Sequence, residues 1–329
     1  MQKYHSRVRL ALAAVTLSAL ALPQLSVAQS AAAYPQEPVK FIVPYPAGGV
    51  SDVSSRAIAT ALGNKLGATM VIENRAGAAS TVASTFVASQ KPNGYTLYAA
   101  PVSIVINPTL QGTVSYKPYE SFTPISMMMK APFVLQTNKD LPVKNAKELV
   151  ELIKKNPDKY AIGTSGVGSI NHLAAEYFIK EFGLKMVVAH YKGGMPAAQD
   201  MMGGQVHMMF SAASEAMPFV SSGKTRGLAV TSMQRMSTLP DLPTMNEALG
   251  TKDFEATFWL ALVSPAGIDK ALQTRLSNAM QALGKDDELR KRLSQLGIEL
   301  DTSTPEVVTA NLKTDEKKWT TLIKELNLK

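Results

Sequence analysis

Short β-branched runs alternate with longer helical patterns through residues 39–99 and again through 133–231, and this alternation narrows the fold more than any other feature. In the first series, 39–43, 70–73 and 95–99 read as buried strands. A helix from Ser51 or Asp52 to Leu66 carries Ile58, Leu62 and Leu66 at helical spacing, with Gly67 as its stop, and 79–89 reads as the next helix. Strand, helix, strand, helix, strand means a parallel sheet with right-handed crossovers. The second series places strands at 133–135, 160–163, 186–191, 206–210 and 227–231. Its helices start at Asn145 (with Glu148 in a capping-box spacing), Ser169 and Pro196. Helices at 269–283, 286–296 and 305–326 close the chain. The apolar run 258–263 lies between the second series and this tail, where it can cross back to the first.

The expected fold class is therefore α/β, as two lobes, each with a sheet flanked by helices. Lobe 1 is discontinuous, 29–131 with 255–329, and lobe 2 is 132–254. Strands crossing between them would form a hinge.

The first 28 residues read as a secretory leader. Lys3, Arg7 and Arg9 precede the apolar run 10–22, Pro23 breaks that run, and Ser26 and Ala28 are small residues suited to cleavage before Gln29. The run is well short of the ~20 residues that span a bilayer. With no cysteine in the chain, a lipid anchor, disulfides, thiolate zinc sites and cysteine nucleophiles are all excluded. Removing the leader takes three basic and no acidic residues from 34 and 26, leaving a net charge of +5 on 301 residues. The basic runs Lys154-Lys155, Arg290-Lys291-Arg292 and Lys317-Lys318 fall in helical patterns and read as solvated faces. No basic stripe interleaved with aromatics marks a nucleic-acid surface.

In open α/β sheets, ligands bind beyond the carboxyl ends of the strands, where helix N-termini present unpaired amides. Each series has one glycine-rich turn of this kind. The first is Pro44-Tyr45-Pro46-Ala47-Gly48-Gly49-Val50-Ser51-Asp52. The second is Gly163-Thr164-Ser165-Gly166-Val167-Gly168-Ser169. Glycine there allows positive φ and close backbone approach, and the helix dipole favours an anion. Either turn alone is explained by tight turns before helices capped by Asp52 and Ser169. A matching pair in successive series favours a shared ligand site.

Catalytic patterns fail. The stretch 163–167 lacks the last glycine of G-x-S-x-G, where Val167 stands. His172, His190 and His207 show no metal-ligand spacing, and neither a phosphate loop nor a G-x-G-x-x-G turn after a strand is present. The methionine pairs and the triplet Met127-Met128-Met129 read as adaptable core filler. No catalytic residue, metal or cofactor is expected.

Ordered blocks along the chain resemble a known family. They include Tyr34-Pro35-x-x-Pro38 running on to Gly48-Gly49, Glu73-Asn74-Arg75-Ala76-Gly77-Ala78, and Lys91-Pro92-Asn93-Gly94-Tyr95-Thr96-Leu97. Further blocks are Gly166-Val167-Gly168-Ser169 with His172-Leu173, Tyr191-Lys192-Gly193-Gly194, Leu239-Pro240-Asp241-Leu242-Pro243-Thr244 and Ser264-Pro265-Ala266-Gly267. The chain is similar to the extracytoplasmic solute receptors of tripartite tricarboxylate transporters, the TctC or Bug type. Asn93 departs from the aspartate common before Gly94.

The resemblance implies a type II periplasmic-binding-protein fold that closes on a small organic carboxylate by hinge motion. It also implies a monomer that hands its ligand to membrane subunits like TctA and TctB. Expected ligand-binding residues are Tyr45, Ala47, Gly48, Gly49, Ser51 and Asp52 in the first loop, and Thr164, Ser165, Val167, Gly168 and Ser169 in the second. The loops at 99–103 and 211–214 would line the rest, with Ser103 and Ser211 as their contacts. Citrate-like acids, aliphatic dicarboxylates, amino acids, nicotinate-like acids and aromatic dicarboxylates such as terephthalate all suit such a site. A ligand-presenting sensor would have the same cleft. A periplasmic hydrolase would need a nucleophile and base brought together.

Overall fold

The computed structural model describes residues 34–328, so the expected leader lies outside the described residues. Strand β1 (Val39–Val43) is buried except at Lys40, as a central strand covered on both faces requires. It pairs in parallel with β2 (Met70–Asn74) and β3 (Thr96–Pro101). Helix α1 (Val50–Leu66) joins β1 to β2 and ends at Gly67, whose φ of 70° is the left-handed cap expected there.

Helix α2 (Thr81–Ala88) starts later than the expected 79–89. Ala78, Ala79 and Ser80 all take positive φ, the first two at 45° and 47°. Their carbonyls explain this: Asn107 Nδ2 donates to Ala79 O at 2.9 Å and Gln111 Nε2 to Ala78 O at 3.2 Å, holding the segment out of the helix. Both donors lie on α3 (Ser103–Gln111), a helix that begins two residues after β3. The expected loop at 99–103 is therefore mostly strand and helix.

The sequence reading also misses most of β4 (Phe122–Asn138), taking only 133–135. Pro124 and Pro132 interrupt its pattern, and its register shifts twice against its neighbour, between Pro124 and Ser126 and between Met127 and Met129. Beyond it come α4 (Ala146–Lys155), β5 (Ala161–Thr164), α5 (Ile170–Phe182), β6 (Val187–His190) and α6 (Gly194–Met202). Next are β7 (Met208–Ala212), α7 (Ala213–Ser221), β8 (Thr225–Val230), α8 (Met245–Leu249) and β9 (Thr257–Pro265). The chain ends with α9 (Lys270–Leu283), α10 (Asp287–Ser294), β10 (Glu299–Leu300) and α11 (Pro305–Glu325).

Strand order is β2-β1-β3-β9-β4-β7-β5-β6, with β10 and β8 also pairing β4. Strands β4 and β9 run antiparallel from Phe122 opposite Pro265 to Pro132 opposite Thr257. From Phe133 onward β4 instead pairs with β7, and from Val134 with β8. Each series has its own sheet, as expected, and the two are joined in one ten-stranded order because β4 is long enough to pair with β9 in the first and with β7 and β8 in the second. Strand β9 returns to β3 as the run 258–263 suggested. Helix α11 is fixed to β9 by Asp315, whose carboxylate accepts Trp259 Nε1 at 2.7 Å and Trp319 Nε1 at 3.1 Å.

Candidate functional site

A cavity of about 330 Å³ lies where the β1–α1 and β5–α5 turns converge. Tyr45, Ala47, Gly48, Gly49 and Ser51 line it from the first turn, and Ser165 and Ser169 from the second. The other six expected residues stand elsewhere.

Asp52 is buried behind the first turn. Its Oδ2 accepts Gly48 N–H at 3.0 Å and Arg56 Nε at 3.0 Å, and its Oδ1 accepts Asn74 Nδ2 at 2.9 Å. Arg56 Nη2 lies 2.9 Å from the same Oδ1. Burial alone would raise the Asp52 pKa, but the bonds from Arg56, Gly48 and Asn74 and the Arg56 charge outweigh it, so the carboxyl sits below its ordinary value. Asn74 also donates to Tyr45 O at 2.9 Å. Asp52 therefore shapes the loop from behind. Gly48 has φ +88°, and a side chain there would point into open space.

In the second turn, Thr164 is buried with its hydroxyl 2.8 Å from His190 Nδ1. Val167 is exposed and does not line the cavity. Gly168, at φ +80°, faces α3: a Cβ there would stand 2.7 Å from Leu110 Cδ2 and 3.4 Å from Asn107 Oδ1. It allows the turn to pack on α3, not a ligand to approach. Ser103 opens α3 with its Oγ 2.8 Å from Ser80 Oγ, and Ser211 is buried on β7 against Gln136 Nε2.

Sequence reasoning missed several lining residues. Asn171 organises the second turn. Its Oδ1 lies 2.7 Å from Ser165 Oγ, 3.2 Å from Ser165 N and 2.6 Å from Ser169 Oγ, and its Nδ2 donates to Phe210 O at 3.2 Å. Phe133 and Phe258 add apolar walls, and Tyr45 meets Phe258 edge-on with centroids 6.0 Å apart. Burial raises the Tyr45 pKa, with Ser103 a smaller opposing bond, so the phenol stays neutral. Glu215, just beyond β7, also lines the cavity. Its position one residue past the suggested 211–214 segment was the available signal, as was the 191–194 block for Lys192, Gly193 and Gly194.

Chemically, the site offers an anion the N-termini of α1 and α5, helices of 17 and 13 residues. Their leading amides have no intrahelical partner, and their dipoles carry about half a positive charge each. Among the described residues, no group of three or more histidine, cysteine or acidic side chains is placed to hold a metal.

Solved structures share this architecture. The periplasmic binding protein BugD is 35% identical with a TM-score of 0.82, covering 90% of this chain and 99% of its own. An R. palustris protein solved with adipate is 29% identical with a TM-score of 0.84, covering 88% and 97%. Fold and cavity together define a periplasmic-binding-protein architecture with a cavity at the strand ends.

Residues 54–328 match the tripartite tricarboxylate transporter family receptor, and BugT of Bordetella pertussis is 30% identical over 302 residues, 91% of this chain and 92% of BugT. The chain belongs to that receptor family. Its members are periplasmic substrate-binding receptors, not enzymes. No helix among the described residues is long and apolar enough to cross a membrane.

Proposed function

We propose that this receptor captures a small organic carboxylate in the cavity and delivers it to membrane subunits like TctA and TctB. The observation that carries the reading is the convergence of two helix N-termini on one cavity. The adipate held by the R. palustris relative supports it. Cleavage after Ala28 releases the receptor into the periplasm. The lobes are 29–131 with 255–329 and 132–254, and β4 and β9 form the hinge. The change of β4 partners at Phe133, next to the Pro132–Thr257 pair, supports that placement. Ligand shifts the open–closed balance only by its preference for the closed form.

Calorimetric titration with matched acids and primary amides tests the charge requirement. Amidation of the docked carboxylate should weaken binding about tenfold or more, the scale of lost charge-assisted bonds. Equal affinity for acid and amide would remove the helix termini from recognition.

A further inference from the structure

One side chain in the cavity does not suit a purely acidic ligand. Glu215 stands in the first turn of α7, and its carboxyl receives no hydrogen bond or ion pair among the described residues. Backbone places it tightly. A Cβ at Gly194 would collide with Oε2, and one at Gly49 would lie 3.9 Å from Oε1. The carboxyl is therefore wedged between the starts of α6 and α1, beside the turn where a ligand carboxylate would dock. Tyr45, Phe133 and Phe258 line the same cavity. Lys192 is the one basic side chain lining it, is exposed, and forms no ion pair with Glu215 among the described residues.

Two carboxylates this close repel each other unless a positive group lies between them or one takes a proton. A buried carboxyl without donors is costly, and a ligand that brings a charged N–H group supplies both donor and countercharge. Aromatic rings around it add favourable quadrupole contacts to a cation. We propose that Glu215 is a specificity-determining residue that pairs with a protonated amine, so that the ligand is an amino acid with its ammonium a few bonds from the docked carboxylate. This deepens the carboxylate-receptor reading and rests on it.

The pKa of Glu215 is consistent with this. Burial alone pushes it up to about 7, so the carboxyl titrates where a cationic ligand can hold it ionised.

Calorimetry should compare amino acids with acids lacking only the amine: alanine with propionate, phenylalanine with 3-phenylpropionate, aspartate with succinate, glutamate with glutarate. Adipate and malate complete the panel. At least one amino acid is expected to bind ten times or more tightly than its deaminated partner. Glu215→Gln should bring that ratio within threefold, and Glu215→Asp should keep part of it, with melting curves recorded for both. The wild-type ratios stand even if a variant fails to fold. Deaminated acids binding as well as or better than every amino acid would overturn the role of Glu215 while leaving a carboxylate receptor. If no carboxylate in the panel binds, both readings fall.

Discussion

The β1–α1 and β5–α5 turns look alike in sequence, yet they are built in opposite ways. The first is held from behind by a charged side chain. Asp52 gathers Gly48, Arg56 and Asn74 while Gly48 leaves open space in front. The second is held from within by a neutral one, Asn171, and its glycine at 168 is pressed against Leu110 of α3. A shared glycine-rich pattern thus covers two jobs: open space in front of one turn, and close contact with α3 in the other.

The largest expected effect separates those jobs. Gly48→Val should fold with some loss of stability from its positive φ and lower ligand affinity on the order of a hundredfold, about 2.7 kcal/mol. Gly168→Val should instead destabilise the protein by about 1–3 kcal/mol, through overpacking and strain. Leu110→Ala should partly relieve Gly168→Ala and leave Gly48→Ala untouched, which double-mutant urea melts can measure. Additive effects at 168 and 110 would erase the contrast.

Next in size is the charge behind the first turn. Asp52→Ala should cost about 1–3 kcal/mol by leaving donors without an acceptor. Because the folded pKa of Asp52 is lowered, its contribution is complete above the unfolded value near 4 and is lost as pH falls through the folded value. The stability gap between wild type and Asp52→Asn should therefore narrow with acidification below about pH 4. An Asn171→Ala gap should show no such dependence, since Asn171 does not titrate. A pH-independent Asp52→Asn gap would mean its carboxylate is not the anchor.

The same contrast shows what could be read without coordinates. Periodicity and turn chemistry exposed β1, α1, β5 and α5, so the two turns at the strand ends were legible. Local pattern could not distinguish Gly48 from Gly168, because what each faces depends on α3, a helix hidden by Pro108 and by its abrupt start after β3. Strand β4 was obscured by its prolines. Asp52 was visible as a first-turn acid, but its donors Arg56 and Asn74 meet it only in the folded chain. Glu215 reaches Gly49 from 166 positions away in the sequence, a contact no local signal encodes.

The smallest expected effect concerns Ser165. From sequence alone, Ser165 is expected among the ligand-binding residues, and its hydroxyl is the group it could offer. The fold gives that hydroxyl a standing acceptor, Asn171 Oδ1 at 2.7 Å, so its single proton is already directed into the turn. Ser165→Ala removes one neutral hydrogen bond and leaves Asn171 Oδ1 near Ser165 N and Ser169 Oγ. The loss should appear mainly in stability, about 0.5–1.5 kcal/mol by urea melt, with ligand affinity changed less than about threefold. A charged ligand oxygen is a stronger acceptor than an amide oxygen, and if it captures the proton on closure the balance reverses. Affinity would then fall tenfold or more while the apoprotein melts nearly as before. Calorimetry and melts on this one variant thus decide whether the second turn meets the ligand through its hydroxyl or only through its backbone and helix end.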